Sequence, residues 1–359
     1  MSKLKVAVVG VGHLGQHHAR ILASLPDVEL VAVSDTRAKQ AKLVADRFHT
    51  VAVTDWRDLL GQVDAVSIAV PTSGHRQVAS AFLALGCAAM VEKPLASNLE
   101  DAEAIVHCAQ SSNAILQVGH IERFNPALAT LDGRGLRPRY ITAERMSTYT
   151  FRSTDIGVVL DLMIHDIDLL LSLVDSPVRR VDAVGVSIFS HLEDVANARI
   201  EFENGTVANL TASRASFQSS RKMRIWGAEG YASIDFATKQ GTFLTPSDNL
   251  RSGIIDLEGV DMSQPSLVKD HLFGTILEVE KVQAEGREPL ALELEDFVHA
   301  VRTGERPKVT GADALKAVQL ADRIIQSIKA HQWDKPSAIP RPKLFDPRYI
   351  TAESGEPVR

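Results

Sequence analysis

LKVAVVGVGHLG, residues 4–15, is an apolar run that ends in a glycine-rich turn. The run Leu4 to Val9 is typical of a strand buried on both faces of a parallel sheet, and the segment after the turn has the apolar spacing of a helix. A second apolar strand, Val28 to Ser34, ends at Asp35, which stands 20 residues after Gly15. Strand, glycine turn, helix, strand and terminal acid, in this order, form a dinucleotide-binding unit. The stretch therefore predicts a Rossmann fold at the start of the chain.

Each glycine of the GVGHLG turn has a separate role in such a unit. Gly10 allows the tight turn, Gly12 lets the backbone approach a pyrophosphate, and Gly15 allows close packing of the helix. The N-terminus of the helix offers free N–H groups and a positive dipole to the phosphates. Asp35 predicts NAD, because its carboxylate binds the ribose hydroxyls and repels a 2′-phosphate. Arg37 could accommodate that phosphate, which leaves NADP as the alternative, and Asp35 could also be an ordinary turn residue.

Strands and helices continue to alternate up to residue 120. The predicted elements are a helix near Arg37 to Phe48, a strand at 64–70, a helix near His75 to Leu85, a strand at Ala88 to Val91, a helix at Leu99 to Ser111 and a strand at Ile115 to Val118. Right-handed crossovers between such strands give a doubly wound parallel sheet whose ligand loops lie at the carboxyl ends of the strands. We therefore predict that residues 1–120 form an NAD-binding domain.

Two of those loops should face the same crevice as Gly12: one carries Val70-Pro71-Thr72, and the other carries Glu92-Lys93-Pro94. His75 follows the first loop, and it is either a cofactor contact or simply the start of a helix. The residues predicted to bind the cofactor are Gly10, Gly12, His13, Leu14, Gly15, Asp35, Arg37, Pro71, Thr72, His75 and Glu92.

A second pattern begins at residue 121, where apolar alternation and turn signals predict a mostly antiparallel sheet. The predicted strands are Arg139 to Arg145, Val178 to Ile188, Ala196 to Glu203, Thr206 to Ser213, Lys222 to Trp226 and Tyr231 to Phe236. Asn204-Gly205 is a hairpin turn, and helices at Leu290 to Arg302 and Gly311 to Lys329 should close the domain. We assign residues 121–335 to an α+β domain with a large open sheet. Such a sheet needs a cover, which predicts a homo-oligomer, dimer or tetramer, formed through it.

Residues 157–174 read GVVLDLMIHDIDLLLSLV, an apolar helix that carries a polar stripe. Asp161, His165 and Asp168 have the spacing i, i+4, i+7 and share one face. Because an unpaired buried charge is costly, the stripe is either a paired structural network or the wall of a ligand cleft. Oxidation of an alcohol needs a base whose pKa is close to neutral, and His165 suits that task. Lys93 would keep the imidazole unprotonated and donate to the alcohol oxygen, and Asp161 would hold a second hydroxyl.

Composition narrows the class of protein. The chain has 359 residues and 45% hydrophobic residues, which suits about two domains. A net charge of −6 disfavours nucleic acid and anionic membranes as partners, and no apolar run is long enough to cross a bilayer. Two cysteines without metal-ligand spacing, and a start without a secretion signal, predict a cytoplasmic protein that has no metal site. The proline-rich residues 336–359 are predicted to be a linker, an arm onto a neighbouring subunit or loose chain.

Taken together, these motifs resemble the Gfo/Idh/MocA family of nicotinamide-dependent sugar oxidoreductases over residues 3–330. The resemblance is carried by GVGHLG with Asp35, by Glu92-Lys93-Pro94, by Gly119-His120 leading to Arg123-Phe124-Asn125, and by the spacing of Asp161, His165 and Asp168. It implies that Lys93 and His165 flank the substrate carbon and that Asp161 contacts the substrate. These three are the predicted catalytic residues, while Asp168 is either functional or structural.

Within the family, GHIERFNPAL (residues 119–128) and the stretch from Ala143 to Leu170 are similar to members that oxidise the 3-hydroxyl of UDP-N-acetylglucosamine for lipid A synthesis. The diphosphate of such a substrate would need bidentate donors. The residues predicted to bind it are Lys93, Arg123, Asn125, Arg145, Arg152, Asp161 and His165. The arginines could also be ordinary surface residues. Two other functions stay open: a dehydrogenase of a free polyol or simple sugar, of the inositol or glucose type, and a non-catalytic protein that senses NAD or a sugar.

Overall fold

The computed structural model describes residues 2–150, 155–189, 191–254, 263–331 and 333, with the Asp270 side chain left out. Arg152, predicted above to contact the substrate, lies outside these residues, and so does the proline-rich segment 336–359.

The first sheet has six parallel strands in the order β3-β2-β1-β4-β5-β6. This order is that of a doubly wound Rossmann sheet, and it confirms the predicted fold class. The strands are β1 (Leu4–Val9), β2 (Val28–Ser34), β3 (Val51–Val53), β4 (Ala65–Ile68), β5 (Ala88–Glu92) and β6 (Leu116–Gly119). The helices between them are α1 (Gly15–Ser24), α2 (Ala38–Phe48), α3 (His75–Leu83) and α4 (Leu99–Ser112).

Both faces of this sheet are covered, and β1 shows why its sequence is apolar throughout. Val6 and Val8 belong to one hydrophobic core, while Ala7 and Val9 belong to the core on the other side. Successive side chains of a strand point to opposite faces, so each residue of a doubly covered strand must be apolar. The strand order reverses between β1 and β4. The glycine turn lies at the carboxyl end of β1, at this switch point, where ligands bind in such sheets.

The second sheet has eight strands in the order β14-β13-β12-β11-β7-β10-β9-β8. Only β7 and β10 pair in parallel, so the sheet is mostly antiparallel, as predicted. Its strands are β7 (Tyr140–Met146), β8 (Val178–Val186), β9 (Val195–Phe202), β10 (Val207–Ser213), β11 (Ser220–Gly227), β12 (Gly230–Asp235), β13 (Gln240–Pro246) and β14 (Leu277–Gln283). The remaining helices are α5 (Pro126–Ala129), α6 (Ile164–Leu173), α7 (Asp248–Arg251), α8 (Pro265–His271), α9 (Pro289–Thr303) and α10 (Gly311–Ala330).

One face of the second sheet packs against helices and the other stays open. Leu210, Met223 and Ile234 are fully buried on the helix side, in a core that includes residues of α6 and α10. On the open side Trp226 stacks on Tyr140, with ring centroids 5.2 Å apart, and Tyr140 is 36% exposed. The alternation of buried and partly exposed residues along these strands follows from this one-sided cover.

The last two helices join the domains rather than closing the second one. Leu294 and Phe297 of α9 are fully buried in the core that holds Val6 and Val8 of the first sheet. In α10 the N-terminal half supplies Val318 to the first domain, and the C-terminal half supplies Ile324 to the second. The sequence predicted that both helices close the second domain, whereas α9 packs in the core of the first and α10 contributes to both. Their amphipathic pattern predicts a buried face but does not say which domain buries it.

Candidate active site

A cleft of about 840 Å³ lies between the two domains. Its first wall is the edge of the parallel sheet, with the glycine turn, Asp35 and Lys93; its second wall holds residues 147–150, Asp161, Leu162, Arg214 and Arg221. A cleft of this volume is in the range that binds cofactors and small substrates.

The glycine turn has the geometry that a pyrophosphate site requires. Gly10 has a φ of +84°, and a Cβ there would lie 2.7 Å from the Val70 nitrogen. A Cβ on Gly15 would overlap the Gly10 carbonyl oxygen, whereas a Cβ on Gly12 would meet only the end of Arg37, at 3.9 Å. The space over Gly12 is therefore free for a ligand. Helix α1 begins beside it, with no acidic residue in its first turn and no side chain capping its N-terminus.

Asp35 and Arg37 lie together at the carboxyl end of β2. The Asp35 Oδ1 accepts hydrogen bonds from the backbone N–H of Arg37, at 3.0 Å, and from its Nε, at 3.3 Å. The Asp35 side chain is 9% exposed and that of Arg37 is 69% exposed. Thr54 and Trp56 line the same end of the cleft. This end accordingly offers an anchored carboxylate, beside an arginine that is already paired with it.

Lys93 and Asp161 bring the two domains into contact at the other end of the cleft. The Lys93 Nζ donates to the Asp161 carbonyl oxygen at 2.6 Å and lies 3.4 Å from its Oδ1. The side chains are 15% and 18% exposed, so both can still meet a ligand. Lys93 directly follows β5 and precedes Pro94, to which a cis peptide bond joins it. Asp161 lies in a π-helical turn, Val159–Met163, that precedes α6.

His165 lies one turn beyond Asp161, on α6. His165 is half-buried and is not among the residues that line the cleft; its Nδ1 is buried with no hydrogen-bond partner in the described part of the chain, so the nitrogen left for a ligand is Nε2. Burial lowers the pKa of His165 well below its usual value, and the positive charges of Lys93 and Arg145 lower it further. The imidazole is therefore neutral near pH 7 and can accept a proton.

Glu92 lies beneath the cleft wall rather than in it. Its Oε1 is 2.9 Å from the His18 Nε2, and its Oε2 accepts from the Lys93 backbone N–H at 3.1 Å. The other His18 nitrogen is 2.8 Å from the Ser67 hydroxyl. Burial opposes ionisation of Glu92, but the hydrogen bond and charge of His18 outweigh it, and the pKa of Glu92 is lowered. These buried hydrogen bonds connect helix α1, which begins at the glycine turn, to the loop that carries Lys93.

Some residues of the segment after β4 lie in the cleft wall, and others lie in the interior of the protein. Pro71 lines the cleft, whereas Thr72 begins a 3₁₀ turn and does not. His75 is buried, with its Nδ1 3.0 Å from the Pro94 carbonyl oxygen and its Nε2 3.1 Å from that of Val70. His75 is the first residue of α3, which was one of the two alternatives predicted for it. Its ring nitrogens connect the loops after β4 and β5.

The Arg145 side chain is buried and forms ion pairs inside the protein. It is 3% exposed, its Nη2 and Nε bind the two carboxylate oxygens of Asp166 at 2.8 and 3.0 Å, and its Nη1 binds the Glu122 Oε1 at 2.8 Å. Burial would lower the pKa of Arg145, but the two carboxylates raise it, so the guanidinium stays charged. Arg145 does not line the cleft.

Arg123 and Asn125 belong to the same buried polar region. The Arg123 Nη1 lies 3.5 Å from the Asp168 Oδ1. Asn125 donates to the Glu122 Oε2 at 2.9 Å and accepts from the Ala127 N–H at 3.0 Å, so that it caps α5. Neither residue lines the cleft. The stripe thus has two parts: Asp161 lines the cleft with His165 one helical turn beyond it and outside the lining, and Asp168 pairs with Arg123.

Two arginines of the cleft were not predicted from the sequence. Arg214 is buried, binds the Asp194 Oδ1 at 2.8 Å and donates to the Ile156 carbonyl oxygen at 2.9 Å. Arg221 is exposed and stands at the start of β11. The alternation of Met223 and Ile225 with polar residues could have indicated that Arg221 lies on the helix side of the sheet.

Among the residues described, no three His, Cys, Asp or Glu side chains form a group that could hold a metal ion. In the same part of the chain, no helix has the length and apolar character needed to span a membrane.

Comparisons with known proteins agree with this geometry. Residues 4–120 match the family model described as an oxidoreductase family with an NAD-binding Rossmann fold, and residues 128–233 match the C-terminal domain model of the Gfo/Idh/MocA family. UDP-N-acetylglucosamine 3-dehydrogenase from Acidithiobacillus ferrooxidans is 37% identical over 308 residues, which cover 84% of this chain and 90% of that protein. The NAD-dependent scyllo-inositol 2-dehydrogenase from Bacillus subtilis is 28% identical, with 87% and 90% covered.

Solved structures give the same picture of the fold. A structure of the Acidithiobacillus ferrooxidans enzyme superposes with a TM-score of 0.79 at 34% identity, covering 92% of this chain and 99% of that one. Levoglucosan dehydrogenase in complex with NADH and levoglucosan superposes with a TM-score of 0.78 at 20% identity, covering 91% and 98%, a likeness of fold alone.

Proposed function

The chain belongs to the Gfo/Idh/MocA family of oxidoreductases, and on that premise we propose that it is an NAD-dependent dehydrogenase that oxidises the 3-hydroxyl of a UDP-N-acetylhexosamine to a ketone. The observation that carries the proposal is the contact between Lys93 and Asp161, which joins an ammonium group and a carboxylate in the cleft, one helical turn before the neutral His165. The substrate rests on the 37% identity to a UDP-N-acetylglucosamine 3-dehydrogenase.

NAD fits the first wall of the cleft. Gly12 leaves space for the pyrophosphate, α1 offers its uncapped N-terminus, and Asp35 can accept from the ribose hydroxyls. Bound NAD would supply the hydride acceptor. The pairing of Arg37 with Asp35 favours NAD over NADP, because it leaves the guanidinium less free for a 2′-phosphate.

The residues of the chain handle the proton. His165, neutral near pH 7, accepts the proton of the hydroxyl as the hydride leaves the same carbon. Lys93 donates a hydrogen bond to that oxygen as negative charge develops on it. Asp161 holds the Lys93 ammonium in place through its carbonyl and can accept from a neighbouring hydroxyl of the sugar.

The test is a panel of substrates assayed for NADH formation. We expect turnover with UDP-N-acetylglucosamine, and we expect His165→Ala and Lys93→Ala to lower kcat/KM by about 10²–10⁴-fold, because each removes a group that acts in the transition state. Turnover by His165→Ala above about a tenth of the wild-type rate would rule out its role as the base.

A free polyol is the second candidate substrate. It is favoured by the inositol dehydrogenase relative and by the placement of Arg123 and Arg145 outside the cleft lining. Turnover with inositol or glucose and none with UDP-sugars would select it. Tight NAD binding without turnover on any of these would point instead to a sensor.

We also propose a homo-oligomer, a dimer or tetramer, formed through the open face of the second sheet. Eight strands at about 4.8 Å spacing make a face roughly 34 Å wide, large enough for a standard interface. The partly exposed cluster of Tyr140, Trp226 and Tyr231 supports this surface. Light scattering on the eluting protein checks it, and a monomer mass would contradict it.

The wider role follows from the chemistry of the product. A 3-keto UDP-sugar is suited to a following amination, as in the synthesis of lipid A sugars, and we propose that context for the enzyme. The cysteines Cys87 and Cys108 are free thiols, which supports a place in the reducing cytoplasm.

A further inference from the structure

We propose that Arg221 binds the diphosphate of the substrate and makes the cleft selective for nucleotide-linked sugars over free sugars. This inference rests on the proposed function and adds the residue that selects the substrate class.

Arg221 lies on the side of the second sheet that faces the site. Met223 and Ile225 of the same strand are buried toward the helices, and Arg221 has the same parity. It pairs across the sheet with Arg145, whose side chain reaches Asp166 on α6. At this end of β11 the strand faces the cleft instead of a helix. Arg221 lines the cleft there together with Lys93 and Asp161.

The charge of Arg221 is open to a ligand. Three arginines line the cleft in the described part of the chain. Arg37 is paired with Asp35 at the adenosine end, and Arg214 is buried against Asp194. Arg221 is exposed and has no carboxylate within 4.0 Å among the described residues. It is the arginine at the substrate end whose donors are not already used.

An open guanidinium at this place suits a phosphate better than a neutral sugar. Arginine presents parallel N–H donors that match two phosphate oxygens, and such charge-assisted bonds are about twice as strong as neutral ones. The hydroxyls of Ser147, Thr148 and Thr150 line the same wall and can complete the set of donors. A free polyol carries no anion and gains nothing from this charge.

The other explanation for Arg221 is a surface charge that balances the acidic pair around Arg145. Asp166 and Glu122 together carry one more charge than Arg145 neutralises. In that case removal of Arg221 would change stability and leave substrate affinity unaltered. The two explanations therefore differ in a measurable quantity.

The experiment compares Arg221→Gln with the matched control Arg224→Gln. Arg224 lies on the same strand but on the opposite parity, and it does not line the cleft. We expect Arg221→Gln to raise KM for UDP-N-acetylglucosamine about 10- to 100-fold, with kcat within about threefold, because the phosphate contact persists from ground state to transition state. KM for NAD and the midpoint of thermal unfolding should stay unchanged in Arg221→Gln, and Arg224→Gln should keep the wild-type KM for both substrates.

A binding measurement keeps this inference separate from the proposed function. Titration calorimetry with UDP, in the presence of saturating NADH, reports the phosphate site without requiring turnover. Weaker UDP binding by about tenfold or more in Arg221→Gln alone supports the inference, even if the sugar proves to be a different one. Equal affinity in wild type and Arg221→Gln, or no UDP binding by the wild type at millimolar concentration, would overturn it. Absence of UDP-sugar turnover by the wild type would instead contradict the proposed function.

Discussion

His165 is the residue whose protonation state decides whether the proposed reaction can run. Its ring lies near three cationic side chains: Lys93 from the first domain, and Arg145 and Arg221 from the second sheet. Burial is the larger cause of its lowered pKa, and these charges act in the same direction. Burial and the nearby positive charges both disfavour the protonated imidazole, so His165 stays in its neutral, basic form.

We predict that the acidic limb of the kcat/KM profile lies below pH 6.5. His165 is active when neutral, and its pKa is lowered, so activity should persist as pH falls through 6.5 and decline only below it. The measurement is kcat/KM between pH 5 and pH 8 with UDP-N-acetylglucosamine and saturating NAD.

The exposed His107 on α4 supplies the control for that profile, and His107→Gln should leave it unchanged. A limb centred at or above pH 6.5 would contradict the assignment of His165 as a base buried among cations.

Arg145 and Arg221 show what the sequence can and cannot say about single residues. Both are arginines in or beside predicted strands, yet only Arg145 was predicted to bind the diphosphate of the substrate. The choice depends on partners that are distant in sequence: Asp166 and Glu122 occupy Arg145, and no carboxylate occupies Arg221 in the described part of the chain. Local spacing carries no information on such pairs, because they form only when the sheet and α6 pack together.

At the scale of elements, the stripe helix is the clearest departure from the expected pattern. An uninterrupted helix over residues 157–174 was predicted, and the structure has a π turn at Val159–Met163 followed by α6. A π turn shifts the backbone hydrogen bonds by one residue, and such turns are common at functional sites. Here it accompanies the Asp161 carbonyl that accepts from Lys93. A π turn of five residues is too short to leave its own apolar period in the sequence, so the sequence does not separate it from an α-helix.

Helix α9 carries a buried acid that makes stability depend on pH. Glu293 is fully buried, and neither carboxylate oxygen has a hydrogen-bond partner in the described part of the chain. Burial raises its pKa well above the usual value, and the nearby Glu92 and Asp168 add to this. Between the ordinary pKa of a glutamic acid and this raised one, the folded protein holds Glu293 protonated where the unfolded chain has it ionised. Its contribution to stability is complete below the unfolded pKa and is lost as pH rises toward the folded one.

We predict that Glu293→Gln reduces the loss of stability between pH 5 and pH 8. The difference should approach about 1.4 kcal/mol for each pH unit over which only the unfolded chain is ionised. Urea unfolding of wild type and variant at the two pH values measures it. Glu295→Gln, on the same helix and partly exposed, is the control and should keep the wild-type dependence. An unchanged dependence in Glu293→Gln would contradict a protonated Glu293.

At the scale of the whole molecule, both sheets follow from the sequence, whereas the way the domains are joined does not. Alternating strands and helices with a glycine turn predict the first sheet, and period-two alternation with Asn204-Gly205 predicts much of the second. The strands β13 and β14 were missed: β13 buries only Gly241 and Phe243, and β14, at the sheet edge, is mostly exposed and polar. The return of α9 to the first domain is a long-range choice, and it places Glu293 near Glu92 beneath the cleft.

The hydrogen that leaves the substrate tests the proposed oxidation most directly. UDP-N-acetylglucosamine carrying deuterium at C3 is incubated with the protein and unlabelled NAD, and the mass of the reduced cofactor is measured. We predict reduced cofactor that carries the deuterium, formed about 10²–10⁴-fold more slowly by Lys93→Ala. Unlabelled NADH would show that a different carbon is oxidised, and the absence of any reduced cofactor with this substrate would contradict the proposed function.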